Sequence, residues 1–104
     1  MEMYDIYIAY VSWGEDGKYR PVLVLYETSD CAVVFSITTQ YESKSDVIRS
    51  KYYKIMDWQW AGLDAESYID TNKTATLPLS AFAHFAGRLT EFDVMRLLAF
   101  VARQ

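Results

Sequence analysis

The chain has 104 residues, 52% of them hydrophobic and 16% aromatic, which is material for one core and leaves no room for a second domain, so residues 1–104 read as a single domain. A formal net charge of −4 excludes a general polyanion binder, since such proteins gain affinity by neutralising phosphates with Lys and Arg. One cysteine rules out an internal disulfide, Met1 leads into an acid-containing stretch without a signal-peptide pattern, and no apolar run approaches the ~18 residues that span a bilayer; the reading is a cytoplasmic protein without a membrane segment.

Taken in chain order, Tyr4, Ile6, Ile8 and Tyr10 alternate with Asp5, Tyr7 and Ala9, a period of two that predicts a strand. Ser12 to Lys18, with Gly14, Gly17 and four polar residues, reads as a loop between antiparallel strands. Arg20 and Pro21 open the apolar run Val22–Leu25, where proline is tolerated at a strand start. Glu27–Asp30 reads as a turn, and Ala32–Thr38 as a third strand. Gln40–Asp46 is polar and reads as a loop. Ser50–Met56 predicts a strand, and Asp57–Gly62 one helical turn, capped by Asp57 and stopped by Gly62. Ser67–Thr71 and then Lys73–Leu77 read as two further short strands. The last element is the clearest. Thr90 precedes Glu91 and Asp93 as an N-cap before first-turn acids, and Val94, Leu97, Leu98 and Val101 recur on one helical face. Five or six strands followed by a helix predict an α+β, mainly β fold: a small curled antiparallel sheet closed by a terminal helix.

Charge is uneven along the chain. Residues 31–57 set Lys44, Arg49, Lys51 and Lys54 against Glu42, Asp46 and Asp57, and a nucleic-acid surface would draw on this region and on Lys18 and Arg20. The ordinary reading of such charges is a solvated face. His84 lies between Phe82 and Phe85 and reads as a satisfied, partly buried histidine rather than an acid or base; Cys31 reads as packing, with no Cys/His spacing for a metal. Trp13, Tyr19, Tyr41, Tyr52 and Tyr53 lie in or near polar stretches where bases could stack, and Trp58 and Trp60 could anchor an interface, although aromatics of a small β-fold more often fill its core.

Three segments together resemble the MazF/PemK toxin family of type II toxin–antitoxin systems. They are the N-terminal strand and loop leading to Arg20-Pro21-Val22-Leu23-Val24-Leu25; Val33-Val34-Phe35-Ser36 ending in Ile37-Thr38-Thr39-Gln40; and Ala61-Gly62-Leu63, Ser67-Tyr68-Ile69 and Gly87-Arg88-Leu89 before the last helix. Each piece is weak alone, but their order and spacing hold over nearly the whole chain. The resemblance implies an SH3-like β-barrel with a C-terminal helix, acting as a homodimer. It implies growth inhibition by metal-independent, cofactor-free, sequence-selective cleavage of single-stranded RNA to 2′,3′-cyclic phosphate and 5′-hydroxyl ends, restrained by a cognate antitoxin.

Carried over residue by residue, the resemblance makes Arg20 and Thr38 catalytic. It places Thr39 and Gln40 against RNA, and makes the segment Glu15 to Tyr19, including Lys18, shape substrate entry. One stretch departs from the pattern. Where many members carry an acid, a glutamine and, two positions on, an arginine, this chain has Asn72-Lys73-Thr74-Ala75. Lys73 as a cation and Asp70 as a carboxylate are the available replacements in substrate binding. That departure keeps a second reading open, a non-catalytic SH3-like module that binds RNA or protein.

The chemistry suits the residue types. RNA carries its own nucleophile, the 2′-hydroxyl, so an enzyme must stabilise the charge gathering on phosphorus. General acid–base help supplies roughly 10²–10⁴-fold, and fixed donors aimed at developing charge often supply more. A guanidinium stays charged and matches phosphate oxygens with a planar fork. The Thr38 hydroxyl can donate to a non-bridging oxygen. Neither is a base at neutral pH, which leaves a carboxylate such as Glu15 or Asp70, or no strong base at all.

Overall fold

A computed structural model describes residues 1–104. The chain forms β1 (Asp5–Trp13), β2 (Asp16–Glu27), β3 (Cys31–Thr38), a short helix α1 (Asp46–Arg49), β4 (Tyr52–Lys54), β5 (Tyr68–Pro78), a 3₁₀ turn (Leu79–Ala81), β6 (Phe82–Arg88) and α2 (Glu91–Ala102). The strands make one antiparallel sheet in the order β4-β5-β3-β2-β1-β6. β4 and β6 are its two edges and do not pair with each other. The fold is therefore mainly β with a C-terminal helix, and the hydrogen-bonded ladder does not close on itself.

Several local outcomes differ from the sequence expectation. The segment read as a loop from Ser12 to Lys18 is mostly strand: β1 and β2 stay paired out to Trp13 and Asp16, leaving Gly14 and Glu15 as a two-residue turn. Gly14 has φ +57°, the positive value that a tight hairpin demands at its first central position. The two short strands expected at Ser67–Thr71 and Lys73–Leu77 are one strand, β5, with an outward bulge. Val34 faces Ala75, whereas Ser36 faces Asp70, so residues 71–74 are looped out opposite Phe35. The Asp70 carboxylate supports the bulge by accepting the Asn72 N–H at 2.9 Å.

β4 spans only Tyr52–Lys54 of the expected Ser50–Met56, and Ser50 instead ends α1. Asp57–Gly62 does make hydrogen-bonded turns, with Ala61 N–H on the Asp57 carbonyl at 3.0 Å, and Gly62 ends them at φ +89°. The Asp57 side chain does not cap that turn; it accepts the Thr90 hydroxyl at 2.9 Å. β6 had no clear alternation to announce it, and its pairing with β1 slips twice. Its Gly87 crosses the 61–62 turn so closely that a Cβ on either Gly62 or Gly87 would overlap a backbone carbonyl of the other segment.

Two apolar clusters lie on opposite faces of the curled sheet. One joins Ile6, Leu23, Ile37, Tyr53, Ile55 and Ile69 with Leu89 and Leu97 under α2. The other joins Ala9, Val22, Val24, Val34 and Leu77, with Tyr7, Ala81 and Phe82 against it. No helix is long and apolar enough to cross a membrane.

The inward face of α2 is not the one periodicity picked. Leu97 is buried and Val94 and Phe100 pack on the core, but Leu98 and Val101 are exposed. Asp93 turns the helix. It is fully buried, and its carboxylate accepts the Tyr53 hydroxyl at 2.6 Å, the Met56 N–H at 3.0 Å and the Asp57 N–H at 2.8 Å. Thr90 caps the helix by accepting the Asp93 N–H at 3.3 Å. Burial first, and then the carboxylate it donates to, push the Tyr53 phenol well above its ordinary pKa, so it stays a donor.

Truncating Asp93 would leave three donors without that partner, the buried Tyr53 hydroxyl and the part-buried Met56 and Asp57 N–H groups. Asp93→Ala is expected to lower the unfolding free energy by about 3 kcal/mol or more, and Asp93→Asn by less, in urea denaturation followed by circular dichroism. A loss under about 1 kcal/mol for Asp93→Ala would show that the carboxylate does not hold the helix.

Candidate active site

The strand register sets the site's geometry. Val22 of β2 faces Ser36 of β3, and Ser36 faces Asp70 of β5. Asp70 in turn faces Tyr52 of β4. Continuing the β2–β3 register two residues past Val22 and Ser36 sets Arg20 across from Thr38. These side chains share the face of the sheet away from α2, because Leu23, Ile37, Ile69 and Tyr53 alternate with them into the other core.

Arg20 and Thr38 line one cavity of about 190 Å³ together with Lys18, Tyr19, Thr39 and Gln40. A second cavity of about 370 Å³ lies on the other side of Arg20, walled by Trp13, Ser36, Asp70, Lys73 and Thr74. Arg20 is the one residue common to both. The structure thus brings together eight of the nine residues singled out from sequence, in two adjoining groups. Glu15 is the exception: it sits exposed at the tip of the β1–β2 hairpin and lines neither cavity.

The electrostatics single out Arg20. Its guanidinium has no carboxylate within ion-pair distance, and its buried Nε has no hydrogen-bond partner. Its one marked contact is the Trp13 ring, 5.4 Å from the guanidinium carbon to the ring centroid. Thr38 Oγ accepts the Gln40 N–H at 3.0 Å, which leaves its own O–H free to donate. Tyr52 lies within electrostatic reach: burial and the Asp70 carboxylate raise its pKa, and Arg20 opposes them.

Two of the cations in the middle third are already paired. Arg49 pairs with Asp46 and Glu42, and Lys54 with Glu66, so the middle third contributes less free positive charge than its composition suggests. Lys18 and Lys73 carry no ion pair and stand at the two cavities.

The remaining candidates fall outside the site. His84 is exposed on β6, paired with Ile8, rather than partly buried between its phenylalanines, because this stretch of the edge strand is uncovered and its neighbours Ala83 and Phe85 are exposed as well. Partial burial and then the Asp30 carboxylate raise the Cys31 thiol pKa, which disfavours the thiolate. No group of three or more His, Cys, Asp or Glu side chains is placed to hold a metal ion. The largest cavity, about 510 Å³, lies between β4 and α2, lined by Tyr53, Met56 and Phe100 with Arg96 and Arg103, and does not touch Arg20.

Sequence reading missed Ser36, Ser67 and Thr74 among the lining residues. Ser36 was accessible to it, standing two residues from Thr38 on the same strand face. Thr74 was not, because its position depends on the β5 bulge.

No protein-family model matches the chain. A protein of Mycolicibacterium smegmatis described as a probable endoribonuclease MazF is 30% identical over 96 residues, covering 88% of this chain and 84% of that protein.

The chain belongs to the MazF family.

The fold agrees. A solved structure described as Mycobacterium tuberculosis toxin MazF-mt6 superposes with a TM-score of 0.73 at 21% identity, covering 95% of this chain and 93% of that one. A second, described as an Mtb toxin, gives 0.68 at 20% identity over 95% and 97%. In this MazF-family chain, Arg20 is held at some cost to stability: it is half-buried, its buried Nε has no hydrogen-bond partner and no carboxylate pairs with it. Arg20→Met is accordingly expected to keep the unfolding free energy within about 1 kcal/mol of the unmodified chain, or to raise it. A loss beyond about 2 kcal/mol in urea denaturation would mean that Arg20 is a structural residue and not a poised one.

Proposed function

We propose that this MazF-family chain is the toxin of a type II toxin–antitoxin system, an endoribonuclease that cuts single-stranded RNA at short sequence motifs without a metal ion. The observation that carries this is the Arg20 guanidinium, free of any counterion and sharing a cavity with the Thr38 hydroxyl.

An RNA phosphate supplies what Arg20 lacks. The guanidinium fork meets two phosphate oxygens, and its worth rises as the charge on phosphorus grows during attack. Thr38 donates its free O–H to a non-bridging oxygen. The 2′-oxygen forms a bond to phosphorus and gives up its proton to water. The bond to the 5′-oxygen breaks, and that oxygen takes a proton. No water is consumed, so the ends are a 2′,3′-cyclic phosphate and a 5′-hydroxyl. Lys18, Tyr19, Thr39 and Gln40 border the strand on one side of Arg20, and Asp70 and Lys73 on the other. Glu15, exposed at the hairpin tip, lines neither cavity and would shape substrate entry only from outside them.

We read the curled sheet as an SH3-like barrel whose seam is closed by side chains, all 104 residues acting as one cytoplasmic domain. A homodimer follows from the outer face of α2. Phe92, Met95, Leu98 and Val101 are exposed there in a stripe that a lone chain would leave in water. An antitoxin silences the enzyme by covering the Arg20 groove.

Purified protein incubated with a defined single-stranded RNA, in chelator, is expected to release fragments with 5′-hydroxyl ends. Arg20→Ala should cut at least ~100-fold more slowly, and Thr38→Val at least ~10-fold. Loss of cleavage in chelator would overturn the metal-free route. RNA bound but never cut would leave a non-catalytic binding module.

A further inference from the structure

The cavity beyond Arg20 is larger than the one that holds Thr38, and the chemistry of cleavage does not use it. We propose that it is a specificity subsite for the nucleobase next to the scissile phosphate, in which Asp70 selects bases that carry an amino group. This rests on the RNA-cleaving reading of the Arg20 site.

The two cavities meet only at Arg20. A phosphate seated on that guanidinium has chain leaving it in two directions, so one flanking nucleotide enters each cavity. The cavity of about 370 Å³ is within the size range of small-molecule sites, which begins at roughly 300 Å³. Trp13 stands at its wall, 49% exposed, and offers a π-surface on which any base can stack. Lys73, without an ion pair, stands where the next phosphate needs a counter-charge.

Stacking alone tolerates every base, so selection has to come from a polar edge. Asp70 is the only carboxylate lining either cavity. Its Oδ1 accepts the Asn72 N–H at 2.9 Å, while its Oδ2 has no partner in the chain. An ionised carboxylate only accepts hydrogen bonds. Cytosine, adenine and guanine each offer an exocyclic amino group to it, and cytosine N4 is an established partner for Asp. Uracil offers carbonyl oxygens and a single imino N–H, so its carbonyls meet the carboxylate with repulsion. The bulge at residues 71–74 brings Asp70, Lys73 and Thr74 to the wall of one cavity.

The test uses the unmodified protein and single-stranded oligonucleotides that differ only in cytidine or uridine at the positions flanking the cut. Cleavage is expected to favour cytidine by about 10-fold at one of the two positions. Asp70→Asn keeps an acceptor for the Asn72 N–H but places an amide donor at the free oxygen. It should abolish or invert that preference, while the preference at the other position is kept. The same ratio in both proteins, or indifference of the unmodified protein at both positions, overturns the proposal. If Asp70→Asn cuts nothing, the cytidine-to-uridine ratio is read instead from fluorescence anisotropy of uncleavable 2′-deoxy-substituted oligonucleotides; an unchanged binding ratio overturns it equally. Unmodified protein that binds with the expected ratio but never cuts would sink the enzyme reading and leave the subsite standing.

Discussion

A single buried carboxylate decides which face of this sheet is covered and which is open. Asp93 takes hydrogen bonds from Tyr53, Met56 and Asp57, and so fixes the start of α2 to the end of β4. With the helix held there, Leu97, Val94 and Phe100 complete the core around Ile6, Leu23 and Ile69. The opposite face keeps its own small cluster, from Ala9 to Leu77, but has no helix over it. Arg20, Ser36, Thr38 and Asp70 stand on that uncovered face beside the cluster. The buried carboxylate is acceptable where it lies because its hydrogen bonds, two of them from backbone N–H groups, replace the water it gave up.

The same accounting read at Arg20 gives the opposite answer. There a buried Nε has no partner, and the charge has no carboxylate beside it. The Trp13 ring offsets only part of that cost, on the order of 0.5–1 kcal/mol for a partly exposed cation–π contact. A fold that satisfies Asp93 so fully and leaves Arg20 so poorly satisfied has concentrated its unmet polar demand at one place. A phosphate diester meets that demand in shape and in charge, and the demand grows with the charge developed in the transition state. Binding and rate enhancement then come from the same unsatisfied group.

The alternation of Tyr4–Tyr10 and the β-forming run Ala32–Thr38 made two central strands legible in the sequence, and Thr90 with Asp93 marked the helix start. The convergence of Arg20 and Thr38 was legible only through resemblance, since nothing local fixes a register between two strands. What escaped has identifiable causes. The α2 face was misjudged because a hydrophobicity pattern counts aspartate as outward, and Asp93 points inward. The hairpin at Gly14–Glu15 looked like a loop because its flanking residues are polar while their backbones stay paired. The β5 bulge hid behind Asn72, which reads as a break between strands but serves a side-chain turn within one. That bulge decides the larger cavity, so half of the groove could not be drawn from sequence.

The central claim is that the groove centred on Arg20, on the face away from α2, is where RNA meets this protein. Amide chemical-shift mapping with an RNA whose 2′-hydroxyl at the cut is replaced by hydrogen tests it most directly. The shifts are expected to concentrate at Lys18–Arg20, Ile37–Gln40 and the 70–75 bulge, and to leave the cavity between β4 and α2 unmoved. Shifts centred instead on Tyr53, Met56, Arg96 and Arg103, with Arg20 silent, would contradict the account.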